Sequence, residues 1–214
     1  MKLTLLCAAL LSIGAVSASA GIISLTNSTT GNFDASSGTR AVTFTGSEAG
    51  FGTGTISNVR ISINFAKADG ELFDPPFPGG TPFFNEIHFR LTGPSATPVE
   101  LIAADSWGGG TGQFDGIITF DDAAGAVVNF GAAPVAGTFR PTGAGALADF
   151  NGQNALGIWT LLIEDTVGSD ALRFRSFTLD ISTDGTVVPE PASMALVGLG
   201  LGAAAFIGRR KSRT

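Results

Sequence analysis

The chain of 214 residues has a single cysteine, Cys7, and a single histidine, His88. Cys7 lies inside an N-terminal apolar stretch, so the residues beyond that stretch carry no thiol, and disulfides, thiol catalysis and cysteine metal sites are excluded from them. One histidine without a cysteine cannot build a typical zinc site. No Gly-x-Ser-x-Gly elbow accompanies His88, so a serine-histidine arrangement lacks its nucleophile. Cations are scarce as well. Lys2 and four basic residues at the C-terminus account for five of the 12 Lys and Arg, which leaves seven against all 18 Asp and Glu, a charge of about −11. Nucleic acid and anionic membrane surfaces are poor partners for that charge, whereas calcium and other cations suit it. Helical periodicity of useful length is missing between the two ends, and no internal repeat is evident.

The two ends are unlike the rest. At the front, Lys2 is followed by an apolar stretch from Leu3 to Val16 and by the small residues Ala18-Ser19-Ala20 before Gly21, the pattern of a cleaved signal peptide over residues 1–20. At the back, Val188-Pro189-Glu190-Pro191 precedes an uncharged Gly/Ala/Leu run from Ala192 to Gly208, and then come Arg209, Arg210, Lys211 and Arg213. As a helix at about 1.5 Å per residue, residues 192–208 reach roughly 25 Å, enough to cross a thin inner membrane once. Basic residues behind a short span stay in the cytoplasm, so everything before Pro189 is expected on the far side. The two prolines fix their own φ and bias Val188 and Glu190 towards extended backbone, a stiff peptide that a membrane enzyme can read as a strand. Residues 186–214 in this order resemble the PEP-CTERM signal of Gram-negative bacteria. The resemblance implies recognition by an exosortase and delivery to the cell surface or to an extracellular matrix rich in exopolysaccharide.

Between the ends lie about 165 residues, 21–185, which suits one domain with its own core. Val59, Ile61, Ile63 and Phe65 alternate with polar residues, as do Ile87, Phe89 and Leu91, then Trp159, Leu161 and Ile163, then Phe177, Leu179 and Ile181. Period two with turn residues between the runs predicts an all-β, antiparallel sandwich. Shorter strands are expected at 42–45, 99–103, 117–120 and 126–130, with one or two edge strands inside 26–55. Between Phe174 and Phe177 the apolar phase slips by one residue, which predicts a bulge. The Pro/Gly-rich segment 67–82 reads as a loop.

The stretch Phe150-Asn151-Gly152-Gln153-Asn154-Ala155-Leu156-Gly157-Ile158-Trp159-Thr160-Leu161, with Asp165, Gly168 and Asp170 after it, resembles the P domain of subtilisin-like proprotein convertases. Leu91-Thr92-Gly93-Pro94-Ser95, Phe114-Asp115-Gly116 and Gly137-Thr138-Phe139-Arg140-Pro141 continue the likeness in the family's order over roughly 56–181. Phe177 stands where that family usually has a tryptophan, and 67–82 reads as an insertion. The resemblance implies a jelly-roll-like β-sandwich, a module that in the convertases packs on a neighbouring protease.

Candidate chemistry is sparse, and the expectation is a non-enzymatic protein. Asp105, Asp115, Asp121 and Asp122 cluster in the sequence between two expected strands, either as solvated turn residues or as the oxygen ligands that calcium takes. Trp107, ahead of a glycine run, can either stack on a sugar or fold back over the sandwich. A glycan-binding module using Trp107, with or without calcium, is therefore the alternative reading. Weak hydrolysis by paired acids among Asp121, Asp122, Glu164, Asp165 and Asp170 comes third, because adjacent strand residues point to opposite faces and make poor acid/base pairs.

Overall fold

The computed structural model describes residues 21–70, 80–108, 112–128 and 131–184. These form ten strands: β1 (Ile22–Asn27), β2 (Gly31–Phe33), β3 (Ser36–Phe44), β4 (Ile56–Lys67), β5 (Ile87–Thr92), β6 (Pro98–Ile102), β7 (Phe114–Phe120), β8 (Gly137–Phe139), β9 (Gly157–Asp165) and β10 (Leu172–Thr183). The larger sheet has the order β1-β10-β4-β7-β8, with β2 pairing the first residues of β10; the smaller has the order β3-β9-β5-β6. Every ladder is antiparallel except β7 with β8, which runs parallel from Ile118 opposite Gly137 to Phe120 opposite Phe139.

The alternation seen in the sequence sets the faces. From the larger sheet Ile61, Ile63, Phe65, Phe177, Leu179 and Ile181 point inward, and from the smaller Phe89, Leu91, Trp159, Leu161 and Ile163 meet them, all fully buried. Phe65 and Phe89 join the sheets edge to face with ring centroids 5.2 Å apart, an arrangement the aromatic quadrupole favours. Trp159 lies edge-on to both Phe150 and Phe44, at 4.8 and 6.4 Å, and its indole N–H donates to the Ala155 carbonyl at 3.0 Å, so its one polar atom is satisfied. Gly93 belongs to this packing: a Cβ there would stand 2.9 Å from the Phe150 ring, closer than real side chains come.

The sandwich and the four long alternating strands are as expected, and so is the irregularity in β10, where the pairing with β4 slips between Phe174 and Ser176. Three expectations change. Inside 26–55 lie β2 and β3, the one or two strands expected there, but ahead of them an unexpected strand, β1, begins at Ile22 and pairs along β10. The described part of 126–130 makes only a single bridge, Val127 to Arg140, and β8 takes the edge position instead. Glu86, which the alternation of Ile87, Phe89 and Leu91 would put on the outer face with His88, is turned inward by a short 3-10 turn over Phe84–Glu86. The signal peptide at 1–20, the transmembrane helix at 192–208 and the sorting residues Val188, Pro189, Glu190, Pro191, Arg209, Arg210, Lys211 and Arg213 lie outside the described residues.

Candidate functional site

Position 67 continues the inward series 59, 61, 63, 65 of β4, and there the series places a lysine. Period two alone aims Lys67 at the core, and its side chain is fully buried. On β9 the series 159, 161, 163 ends in the same way on Asp165, also fully buried. Residue Ile87 of β5 pairs with Asp165, which brings the preceding Glu86 beside it. The 3-10 turn then rolls the Glu86 side chain inward to 7 % exposure, and its backbone carbonyl accepts from the Thr166 amide at 3.1 Å.

Lys67 Nζ donates to Glu86 Oε2 at 2.9 Å, to Asp165 Oδ2 at 2.7 Å and to the backbone carbonyl of Asp170 at 2.5 Å. An ammonium has three protons, and all three are used. The Asp170 carboxylate is tied elsewhere, accepting from the Phe83 amide at 2.8 Å. The cluster bridges the sandwich, because β4 belongs to the larger sheet whereas Asp165 ends β9 in the smaller one and Glu86 lies in the turn leading into β5 of that sheet.

One cation between two carboxylates leaves an excess of negative charge in a place without water. Burial accordingly pushes the Asp165 carboxyl up to about 6, and the nearby Glu86 charge adds to it, against the pull of Lys67. An aspartate in the unfolded chain titrates near pH 4. As a free acid, Asp165 therefore contributes stability that is fully present below about pH 4 and is lost as pH rises through about 6. Among the described residues the Lys67 and Asp165 side chains are fully buried and Glu86 nearly so, and each has its partner within the cluster.

Of the acids singled out in the sequence, Asp165 and Asp170 meet in this cluster, whereas the four aspartates expected to take calcium each have other partners. Asp115 is forked by Arg175, with Arg175 Nη2 donating to Oδ2 at 3.0 Å. The carboxylate of Asp121 accepts from the Ala123 amide at 2.9 Å, and Asp122 accepts from the Ala148 amide at 2.6 Å. Asp105 accepts from Asn85 Nδ2 at 3.3 Å. Each is held by a local partner, and among the described residues no three His, Cys, Asp or Glu side chains gather into a group that could hold a metal ion. Adding calcium, or stripping it with a chelator, is expected to leave the Tm of the protein unchanged, since a ligand of the native state alone must raise it. A calcium-dependent rise would show that these loops close on the ion.

Trp107 takes the second of its two options. It is 2 % exposed and lies tilted against Phe65 at 6.1 Å, so it presents no open face to a sugar. The next residue, Gly108, donates to the Ala132 carbonyl at 3.1 Å, and a Cβ there would meet the Gly131 carbonyl oxygen at 2.2 Å, which explains a glycine behind the indole. His88 sits on the outer side of the smaller sheet with Nδ1 3.0 Å from Glu164 Oε2 and Nε2 3.6 Å from Glu100 Oε1. Glu164 faces out while Asp165 faces in, so these neighbouring acids do not act on one bond.

Lys67 and Glu86 were not among the residues singled out in the sequence. The signal for Lys67 was present, since the apolar alternation of β4 runs on by two residues into what reads as a loop. For Glu86 strand parity points the wrong way, because the 3-10 turn resets it.

The comparisons bear on the C-terminal end. The PEP-CTERM protein-sorting motif matches residues 187–211, a span that holds Val188, Pro189, Glu190, Pro191, Arg209, Arg210 and Lys211. A motif of this kind marks an exported protein with a C-terminal sorting signal that is processed by an exosortase. No curated protein matches the chain. Among solved structures, the chain is similar to one described as the crystal structure of a serine protease of Aeromonas sobria, at 10% identity and a TM-score of 0.35, over 76% of this chain and 27% of that one.

Proposed function

We propose that the chain is a non-enzymatic component of the cell surface or extracellular matrix. In this reading a P-domain-like jelly roll is carried across the inner membrane, held there by residues 192–208, and released or transferred by an exosortase acting near Pro189-Glu190-Pro191. The observation that carries this reading is the sorting-motif match at 187–211. The acidic β-sandwich, which has no cysteine beyond Cys7, is compatible with this reading. An exopolysaccharide is the partner that such a matrix component would meet.

The sorting step can be tested directly. Glu190→Ala removes the one carboxylate of the motif. It is expected to leave most of the protein in an uncleaved, membrane-bound form, as is loss of the exosortase from otherwise unchanged cells. The C-terminal mass of the mature protein reads both. Processing that proceeds unchanged in either case would remove the exosortase from the account.

A further inference from the structure

We propose that Lys67 and Asp165 become covalently joined: the Lys67 amine attacks the Asp165 carboxyl carbon with Glu86 as the proton carrier, giving an internal amide and one molecule of water.

The geometry is that of two reactants already in contact. Lys67 Nζ lies 2.7 Å from Asp165 Oδ2, so the carboxyl carbon is one bond further on, and both side chains are fully buried. Holding two groups in this way is equivalent to effective concentrations of about 10⁵–10⁸ M, enough to turn an amide condensation that fails in dilute solution into an intramolecular step. Exclusion of water from the site works in the same direction, since hydrolysis of the product needs a water that the packing does not admit.

The third group is what makes this more than an ion pair. Glu86 Oε2 stands 2.9 Å from the same nitrogen, within reach of any proton the amine releases. The protons balance as follows. One of the three on the ammonium passes to the Asp165 carboxylate, leaving a neutral amine and a neutral acid. The amine nitrogen forms its bond to Cγ, and Glu86 takes a second proton from it. Glu86 then returns that proton to the Asp165 hydroxyl as the C–O bond breaks, and water departs. The last proton remains as the amide N–H, which can donate to the Asp170 carbonyl that Lys67 already meets. Glu86 ends as it began, and nothing is oxidised or reduced.

Burial favours both ends of the reaction. It pushes the Asp165 carboxyl up to about 6, towards the neutral acid that an amine can attack. The product replaces two buried charges by one neutral, hydrogen-bonded amide, which lifts the cost of keeping ions out of water. The bond would also stand where a staple has most effect. Lys67 ends β4 in the larger sheet and Asp165 ends β9 in the smaller, so the link closes the sandwich across its two layers in a body that has no cysteine for a disulfide. This inference rests on the cluster alone and is independent of the sorting reading.

Tandem mass spectrometry of a protease digest of the purified full chain tests it. The expected result is a branched peptide in which Lys67 is joined to Asp165, one water lighter than its two arms together. Recovery of both arms separately, with Lys67 cleaved by trypsin like any other lysine, would overturn the proposal. Asp165→Asn should still give the identical branched product, because ammonia then leaves in place of water. In Glu86→Gln the shape is kept but the carrier is lost, and linking is expected to slow by about 100-fold or more. Unchanged linking there would overturn the assignment of Glu86. In the linked wild type, moreover, the acid-dependent stability assigned to a free Asp165 should be gone, and its persistence would count against the bond.

Discussion

Lys67→Met is expected to destabilise the protein by about 3–5 kcal/mol, because it strands two buried carboxylates without their cation. Methionine has nearly the length of lysine, so the cavity is small and the electrostatic loss dominates. Lys67 serves three acceptors at 2.5–2.9 Å, all on buried residues. Urea unfolding of the wild type and the variant measures the difference. A loss of less than about 1 kcal/mol would mean that water reaches the cluster, as it does in exposed pairs. Replacing the carboxylates together with the lysine, as Lys67→Met with Glu86→Gln and Asp165→Leu, is expected to recover much of the loss, since a buried ion cluster often does no better than an apolar one of similar volume. If Lys67 and Asp165 are linked, Lys67→Met also removes a closed loop of roughly 100 residues, which adds a term of about 4–5 kcal/mol from the unfolded chain.

Trp159→Ala is the second large effect, at about 3–5 kcal/mol. The indole is fully buried on the central part of the smaller sheet, where β9 pairs with β3 on one side and β5 on the other. Its removal leaves a cavity between Phe44 and Phe150 that neither ladder can move to fill. Trp159→Phe separates the two contributions. It keeps most of the volume but leaves the Ala155 carbonyl without its indole donor, and an unsatisfied buried acceptor costs about 1–3 kcal/mol. Equal losses in the two variants, read from the same denaturation curves, would show that packing around the indole has little to do with the stability of this sheet.

These two residues mark how far the sequence can be read. Trp159 alternates with Leu161 and Ile163, and its burial follows from period two alone. The same rule carries Lys67 and Asp165 inward, but a charged residue at the end of an apolar series looks like the start of a loop until a partner is seen. Trp107 was undecided for a related reason. Its neighbours are glycines, which impose no period, so only contact with Phe65 shows on which side the indole lies. The four aspartates expected in loops were close in sequence, but Asp115 falls on β7 and they take different partners. Asp115 meets Arg175 on β10, Asp122 meets the amide of Ala148, and Asp105 meets Asn85.

The short strands at the edges were hardest to see. With β8 only three residues long and its end residue Phe139 only part-buried, and with Ile23 the only fully inward residue of β1, neither carries enough alternation to stand out from turn-rich chain. Their places come from partners distant in sequence, β1 on β10 and β8 on β7.

What the sequence by itself determined is the all-β class, the inward faces of the four long strands, and the sorting segment, which is a local and linear signal at 187–211. The tertiary structure alone decided which charges meet. Lys67 and Asp165 lie on strand ends of two sheets and Glu86 on the turn before β5, and alternation states which face a residue takes without saying what stands opposite. Cross-sheet pairing depends on strand order and register, which are properties of the whole chain. That is why the address at the C-terminus is legible residue by residue, whereas the buried lysine acquires its meaning only when the two sheets close on it.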